Sequence, residues 1–204
     1  MPTIKDYYLP KRPTLLFSLH PEPTQAIING TKILEYRRRF FARPFQAFVY
    51  TTGANGGIQL FLRCDQGLQL VPEQLALVGA LLQHDAPTTT AAYFEGAKVG
   101  LALPITAFTT LPNIPLAQLR RQFENFVTPR SYVFLDQPDR QAQLDWLLTQ
   151  PCESLTILDW RKRYAALATL LQKLSQACLN RAATSAPVIR IKQPLVVHLL
   201  SKRT

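Results

Sequence analysis

Short apolar runs, separated by turn residues, recur along the first two thirds of the chain. Residues 15–19 are apolar apart from Ser18, which predicts a strand buried on both faces. Pro21 suits the first turn of a following helix, and Gly30 predicts the cap at its C-terminal end, with positive φ. Charged and apolar residues then alternate from Lys32 onward. The start of the chain therefore predicts a strand–helix–strand unit.

Later runs predict further strands. Residues 47–52 and 58–64 are expected to form a hairpin, closed by the glycine-rich turn between them. Another strand is expected at 99–108, where Pro104 marks a bulge or an edge. A last strand at 131–135 closes the expected sheet.

Helical patterns lie between and after these strands. Short helices are expected at 88–96 and within 109–127. A longer one, at 72–83, has an apolar side consisting of Leu75, Val78, Leu81 and Leu82. Past residue 138 the pattern predicts a mainly helical extension with the apolar stripe Leu158, Tyr164, Leu167, Leu171, Leu174 and Cys178. A terminal strand or strand pair is expected after Pro187.

The net charge of +10 is concentrated at the two ends of the chain. Residues 1–50 carry eight Lys or Arg against three Asp or Glu, and residues 151–204 carry nine against two. The middle, residues 51–150, carries six against eight. Basic ends that lie side by side would form one positive surface, which attracts polyanions such as nucleic acids. A high pI is also common among proteins that bind nucleic acid only nonspecifically.

Composition narrows the class of protein. With 47% hydrophobic and 18% charged residues the chain is expected to bury a core. No apolar run is long enough for a membrane span, and the N-terminus lacks the core of a signal peptide. Three dispersed cysteines favour a reduced, cytoplasmic protein. Neither the cysteines nor the three histidines have metal-ligand spacing, so no metal site and no cofactor is expected.

The expected second strand carries an unusual density of charge. On a regular strand Glu35 and Arg37 share a face and are able to pair, whereas Lys32 lies on the face opposite Glu35. A guanidinium held by a carboxylate is oriented to bind a phosphate or a base edge. The same pattern is equally typical of a solvated edge strand that its arginines keep soluble.

Three ordered motifs link this segment to a known family. Gly30, Lys32, Glu35 and Arg37, placed directly after a strand–helix unit, resemble the ASCH domain, a branch of the PUA-like β-barrels. Tyr-Phe-Glu-Gly at 93–96, before a strand, matches the same family. The segment 128–132, Thr-Pro-Arg-Ser-Tyr, resembles its closing strand.

The resemblance implies an α+β fold, a small PUA-like barrel of about five or six strands with flanking helices. It covers residues 12–137, and residues 138–204 are expected to form a basic, mainly helical extension packed on or beside the barrel. The resemblance further implies a pocket between the first helix and the barrel, lined by Lys32, Glu35 and Arg37. Monomers, or weak homodimers formed through the extension, are expected.

The resemblance favours a nucleic-acid-binding protein with RNA or a nucleotide-like ligand as its partner. Arginines would contact phosphates, and Tyr36 or Phe40 would stack on a base. The expected binding residues are Ser18, His20, Lys32, Glu35, Tyr36, Arg37, Arg38, Arg39, Arg43, Arg130 and Tyr132.

Two alternatives stay open. One is a small hydrolase that acts on a modified nucleoside such as an N4-acylcytidine, or a ribonuclease, with Lys32, Glu35 and Ser131 as catalytic residues. Strand alternation weakens it, and so does Glu35, because members of the family with amidohydrolase activity place threonine there. The other is a regulatory protein whose basic extension, including Arg161 to Arg163, binds a partner.

Overall fold

The computed structural model describes residues 1–160 and residue 162. Its first compact unit, Met1–Leu158, is a mixed β-sheet curled into a half-barrel, with helices flanking it. This architecture confirms the expected α+β barrel. The strands are β1 (Thr14–Leu19), β2 (Leu34–Arg37), β3 (Phe45–Thr51), β4 (Gly57–Cys64), β5 (Leu68–Leu70), β6 (Gly100–Pro115), β7 (Tyr132–Phe134) and β8 (Thr156–Ile157).

Six α-helices and one 3₁₀ turn connect the strands in the described residues. The α-helices are α1 (Ile4–Tyr7), α2 (Pro21–Ile28), α3 (Pro72–Gln83), α4 (Pro87–Tyr93), α5 (Leu116–Gln122) and α6 (Gln141–Leu148), and the 3₁₀ turn is Pro138–Arg140. None of the helices in this part of the chain has the length and apolar character needed to cross a bilayer.

The sheet follows the order β2-β6-β4-β3-β1-β7, and β5 and β8 also pair with β6. β1 and β3 are parallel, and the other pairs are antiparallel. β6 is longer than the sequence predicted, because it continues to Pro115 instead of ending near residue 108. Its first residues pair with β2 and β5, and its later residues pair with β4. β6 therefore joins the side of the half-barrel that contains β2 and β5 to the side that contains β4.

Apolar residues cover both faces of the central strands, as the sequence predicted for β1. Leu16, Phe48 and Phe61 face a core that α1, α5 and α6 complete. Leu15 and Phe17 face the other core, inside the half-barrel, where α2 contributes Ile27.

Two predictions about local packing are wrong in detail. In α3 the buried residues are Leu75, Ala76, Gly79 and Leu82, whereas Val78 and Leu81 stay partly exposed. Residues 156–157, predicted as the start of a long helix, form β8 instead. The described residues include that predicted helix only up to Trp160, together with Lys162. The rest of the predicted helix and the predicted terminal strand lie outside the described residues.

Candidate functional site

Glu35 is the centre of a small ion cluster on β2. Its carboxylate oxygens lie 3.4 Å from Lys32 Nζ and 3.0 Å from Arg37 Nε. The side chains of Lys32, Glu35 and Arg37 are 16%, 8% and 18% exposed, so the cluster is mostly shielded from water and is not a solvated edge. The predicted pairing of Glu35 with Arg37 is present.

The expectation that Lys32 points away from Glu35 is wrong, and the cause is the end of α2. Gly30 adopts φ +71°, and the N–H groups of Thr31 and Lys32 both donate to the carbonyl of Ala26. Lys32 therefore still belongs to the helix cap, and β2 begins only at Leu34. Strand alternation does not apply across this junction, so Lys32 is free to turn towards Glu35.

Arg37 is held by several contacts within the described residues. Its terminal nitrogen donates to the carbonyl of Ser18 at 2.8 Å, and its guanidinium lies 5.3 Å from the Phe17 ring and 5.2 Å from the Phe40 ring. The Nε–H does not point at Glu35, so their 3.0 Å contact is an ion pair rather than a hydrogen bond. Arg37 is thus fixed between a carboxylate, a carbonyl and two aromatic faces.

Tyr36 lies in a partly buried polar network. Its hydroxyl donates to Asp85 Oδ2 at 2.9 Å, and Gln83 donates to the same oxygen at 2.6 Å. Gln83 Oε1 also accepts the backbone N–H groups of Ile33 and Leu34. Burial, followed by the charge and hydrogen bond of Asp85, raises the pKa of Tyr36 far above its ordinary value. The Tyr36 ring packs edge-on against Phe94, and Lys32 Nζ lies 5.2 Å from the ring centre.

The second sequence motif, 93–96, contacts β2 directly. The Arg38 guanidinium donates to the carbonyls of Tyr93 and Glu95, at 3.0 and 3.1 Å. The Tyr93 hydroxyl donates to the Tyr36 carbonyl at 3.3 Å. Arg38, although exposed, therefore joins two motifs.

The third motif, 128–132, lies on the other side of the cluster. The Ser18 hydroxyl donates to the Pro129 carbonyl at 2.8 Å, and the Tyr132 ring lies 4.6 Å from that of Phe40. Tyr132 is on β7, which pairs with β1 opposite Phe17. All three motifs that suggested the family therefore meet around β2 and β1.

The remaining predicted site residues are exposed. Arg39, Arg43, Arg130 and Ser131 face solvent, and no hydrogen bond or ion pair within the described residues joins Ser131 to Lys32 or Glu35. Arg43 lies 5.4 Å from the Phe41 ring. His20, also exposed, is 3.2 Å from the Thr52 hydroxyl through Nδ1. The structure thus brings Lys32, Glu35 and Arg37 together and leaves the exposed arginines at the rim.

Two cavities of the compact unit lie elsewhere. One, of about 560 Å³, is lined by the start of α3 and the segment after α4. The other, of about 340 Å³, is lined by the end of α2 together with β6 and β8. Neither includes Lys32, Glu35 or Arg37 in its lining. Among the described residues no group of three or more His, Cys, Asp or Glu is placed to hold a metal ion.

Sequence reasoning missed Gln83 and Asp85, which hydrogen-bond to residues 33, 34 and 36 beside the cluster. Gln83 and Asp85 flank His84, which ends α3 in the left-handed conformation at φ +59°. The available signal was Gly79, an unfavourable residue inside a helix. A Cβ atom there would lie 2.2 Å from the Tyr36 hydroxyl, so the glycine makes room for this network.

No family model and no curated protein matches the chain. Solved structures do match, among them the crystal structure of ASCH from Zymomonas mobilis, with 25% identity and a TM-score of 0.58. That match covers 67% of this chain and 96% of the other. A serine-to-alanine variant of ASCH from the same organism matches at 23% identity and a TM-score of 0.56. That match covers 69% of this chain and 100% of the other. A tyrosine-to-phenylalanine variant matches at 23%, with coverage of 67% and 99% and a TM-score of 0.55.

Proposed function

We propose that this chain, which has the ASCH-domain fold, binds single-stranded RNA on the surface formed by residues 39–43 and Tyr132. The supporting observation is the contact between the half-buried rings of Phe40 and Tyr132, next to the exposed cations Arg39 and Arg43. Partly exposed aromatic faces beside arginines are typical of sites that stack bases and neutralise phosphates.

The contacts of β2 divide the basic residues into two roles. Arg37 and Arg38 donate to backbone carbonyls, so they position the segment around β2. Arg39, Arg43 and Arg130 are exposed, and we assign phosphate contacts to them. We assign base stacking to the Phe40–Tyr132 pair, which lies beside the exposed arginines, and a structural role to Tyr36, whose hydroxyl donates to Asp85.

Binding of a labelled single-stranded RNA, followed by fluorescence anisotropy, tests the proposal. We expect the affinity to fall steeply between about 50 and about 200 mM salt, with a log–log slope of roughly 0.7 for each phosphate contacted. Arg39→Ala and Arg43→Ala should each lower that slope by about 0.7. Tyr132→Leu should weaken binding by about tenfold through lost stacking. A DNA of the same sequence tests the preference for RNA.

Arg121→Ala is the matched control, because it also removes one exposed cation. Arg121 lies on α5, which packs over the opposite face of the sheet through Leu119. Its substitution should leave both affinity and slope unchanged. Absence of binding at low salt, or an affinity that ignores salt, would contradict the proposal.

A second candidate function is hydrolysis of a modified nucleoside or of RNA. The 3.4 Å contact between Lys32 Nζ and Glu35 Oε2 favours it, because it places an amine and a carboxylate at one point. Incubation with N4-acetylcytidine and with RNA, with and without Mg²⁺ or Mn²⁺, tests this candidate. Lys32→Ala should abolish any turnover, whereas Lys98→Ala, which removes an exposed lysine, should not. Turnover that survives Lys32→Ala would exclude this site.

A further inference from the structure

A second cationic cluster lies at the end of the sheet where β1 and β3 begin and β4 ends. Arg12 precedes β1 by two residues, and Arg63 is the next-to-last residue of β4. Gln46 on β3 pairs with Thr14 on one side and with Arg63 on the other. The topology therefore brings Arg12 and Arg63 to the same end of three neighbouring strands.

Gln46 fixes the chain that carries Arg12. It is fully buried, and its side-chain amide donates to the carbonyls of Leu9 and Arg12 at 2.8 and 3.1 Å. Its side-chain oxygen accepts the Leu9 N–H at 3.0 Å. Residues 9–12 are thereby held against the end of the sheet, which makes the position of Arg12 part of the fold.

Arg63 is a charged group whose bonding is incomplete. One terminal nitrogen donates to the Tyr7 carbonyl, but Nε is buried and makes no hydrogen bond with the described residues. Burial, and then the charge of Arg12, lower the pKa of Arg63. Within the described residues neither arginine forms an ion pair, and the nearest carboxylate in sequence, Asp65, accepts the N–H of Gln66. Two guanidiniums so placed carry positive charge that a bound anion would stabilise.

The exposed segment 39–43 reaches the same end of the sheet. Arg43 precedes β3 by two residues, as Arg12 precedes β1. Since β1 and β3 are parallel neighbours with Thr14 opposite Gln46, these two arginines enter at one edge. A polyanion on the Phe40–Tyr132 surface would therefore meet Arg43 and then the Arg12–Arg63 pair.

We propose that Arg12 and Arg63 form a phosphate-binding subsite for the backbone of a bound RNA. This inference rests on the RNA-binding function proposed above. It extends the path of the bound RNA around the end of the sheet. A phosphodiester there would neutralise part of the paired charge through charge-assisted hydrogen bonds to the guanidiniums. The subsite reads phosphate and carries no base specificity.

Two oligouridines, of about four and about twelve nucleotides, separate this subsite from the aromatic surface. We expect Arg12→Gln to lower the salt slope of the longer RNA by about 0.7 and to leave the shorter one unchanged. Arg63→Gln should act in the same way. Arg39→Ala should weaken both lengths, because it belongs to the aromatic surface. A slope that neither variant changes, in a protein that binds the longer RNA, would overturn the inference.

A second measurement keeps this inference separate from the proposed function. Inorganic phosphate added at constant ionic strength, with chloride as the control, should shift the Arg63 Nε–H resonance in a ¹⁵N-correlated NMR spectrum. Arg12→Gln should reduce that shift, while Arg121→Gln should not. Failure of the wild type to bind either RNA would overturn the RNA-binding function and this path with it. An Arg63 resonance that ignores phosphate would overturn the subsite itself.

Discussion

The two cationic clusters of this protein differ in whether the chain supplies their counter-charge. Around β2, Glu35 lies between Lys32 and Arg37. At the end of the sheet, the charge of Arg12 acts on Arg63, and no carboxylate is paired to either among the described residues. In the first cluster one carboxylate offsets one of two cations, whereas in the second no carboxylate of the described residues is paired to either cation.

Both clusters nevertheless use the same means of holding an arginine. Arg37 donates to the carbonyl of Ser18, and Arg63 donates to that of Tyr7. A carbonyl fixes the direction of a guanidinium but leaves its net charge in place. The clusters therefore differ because the first contains Glu35. A high density of arginines along the sequence does not by itself identify the ligand site. Arg63, the one charged residue of the largely apolar strand β4, is less compensated than Arg37.

The largest expected effect comes from removing Glu35. Glu35→Gln leaves Lys32 and Arg37 shielded from water without their counter-charge, so we expect a loss of about 2 kcal/mol in the free energy of unfolding. Urea titration followed by circular dichroism measures it. Glu124→Gln, at an exposed position, is the control and should change stability by less than about 0.5 kcal/mol. Equal stability of the two variants would contradict the compensated cluster.

A smaller effect is expected at Tyr36, on the other side of β2. Tyr36→Phe removes the hydrogen bond to Asp85 and should cost about 1 kcal/mol near neutral pH, measured by the same titration. Because the pKa of Tyr36 is raised in the folded state, its phenol loses its proton more readily in the unfolded chain. Its contribution is therefore complete below about pH 10 and falls as the pH rises further.

The alkaline loss of stability should be weaker in Tyr36→Phe than in the wild type. Ultraviolet titration gives a second measurement, since phenolate absorbs where phenol does not. The folded wild type and the variant should ionise the same number of tyrosines around about pH 10 to 11, because Tyr36 stays protonated. An additional tyrosine that titrates in the folded wild type would show that the network around β2 is open to water.

The sequence predicted most of what depends on local periodicity. The hairpin β3–β4, helix α3 and the burial of β1 on both faces follow from apolar spacing, turn residues and Pro72. The pairing of Glu35 with Arg37 follows from the same period-two rule. Family resemblance added the connection among the three motifs, which no local pattern contains.

What the sequence did not predict depends on cap geometry and long-range pairing. Lys32 reaches Glu35 because α2 continues in its cap to residue 32, a boundary that periodicity does not locate. Arg63 was not singled out, since its relation to Arg12 arises only through Gln46, which pairs with Arg63 and binds the Arg12 carbonyl. The role of Gln46 in turn depends on β1 and β3 being neighbours, although their registered residues are separated by thirty-two positions.

The smallest expected effect concerns the second cluster, and its sign is opposite to that of Glu35→Gln. Arg12→Gln removes one of two like charges, so without a bound anion it should raise the free energy of unfolding by about 0.5 kcal/mol at low salt. The gain should shrink at high salt, because screening already weakens the repulsion in the wild type. Urea titrations at both salt concentrations measure the change, with Arg121→Gln as the control for loss of one exposed cation. A gain equal to the control's, or a loss of stability, would mean that Arg12 and Arg63 do not repel each other. The contrast between a partly compensated and an uncompensated cluster would then fail.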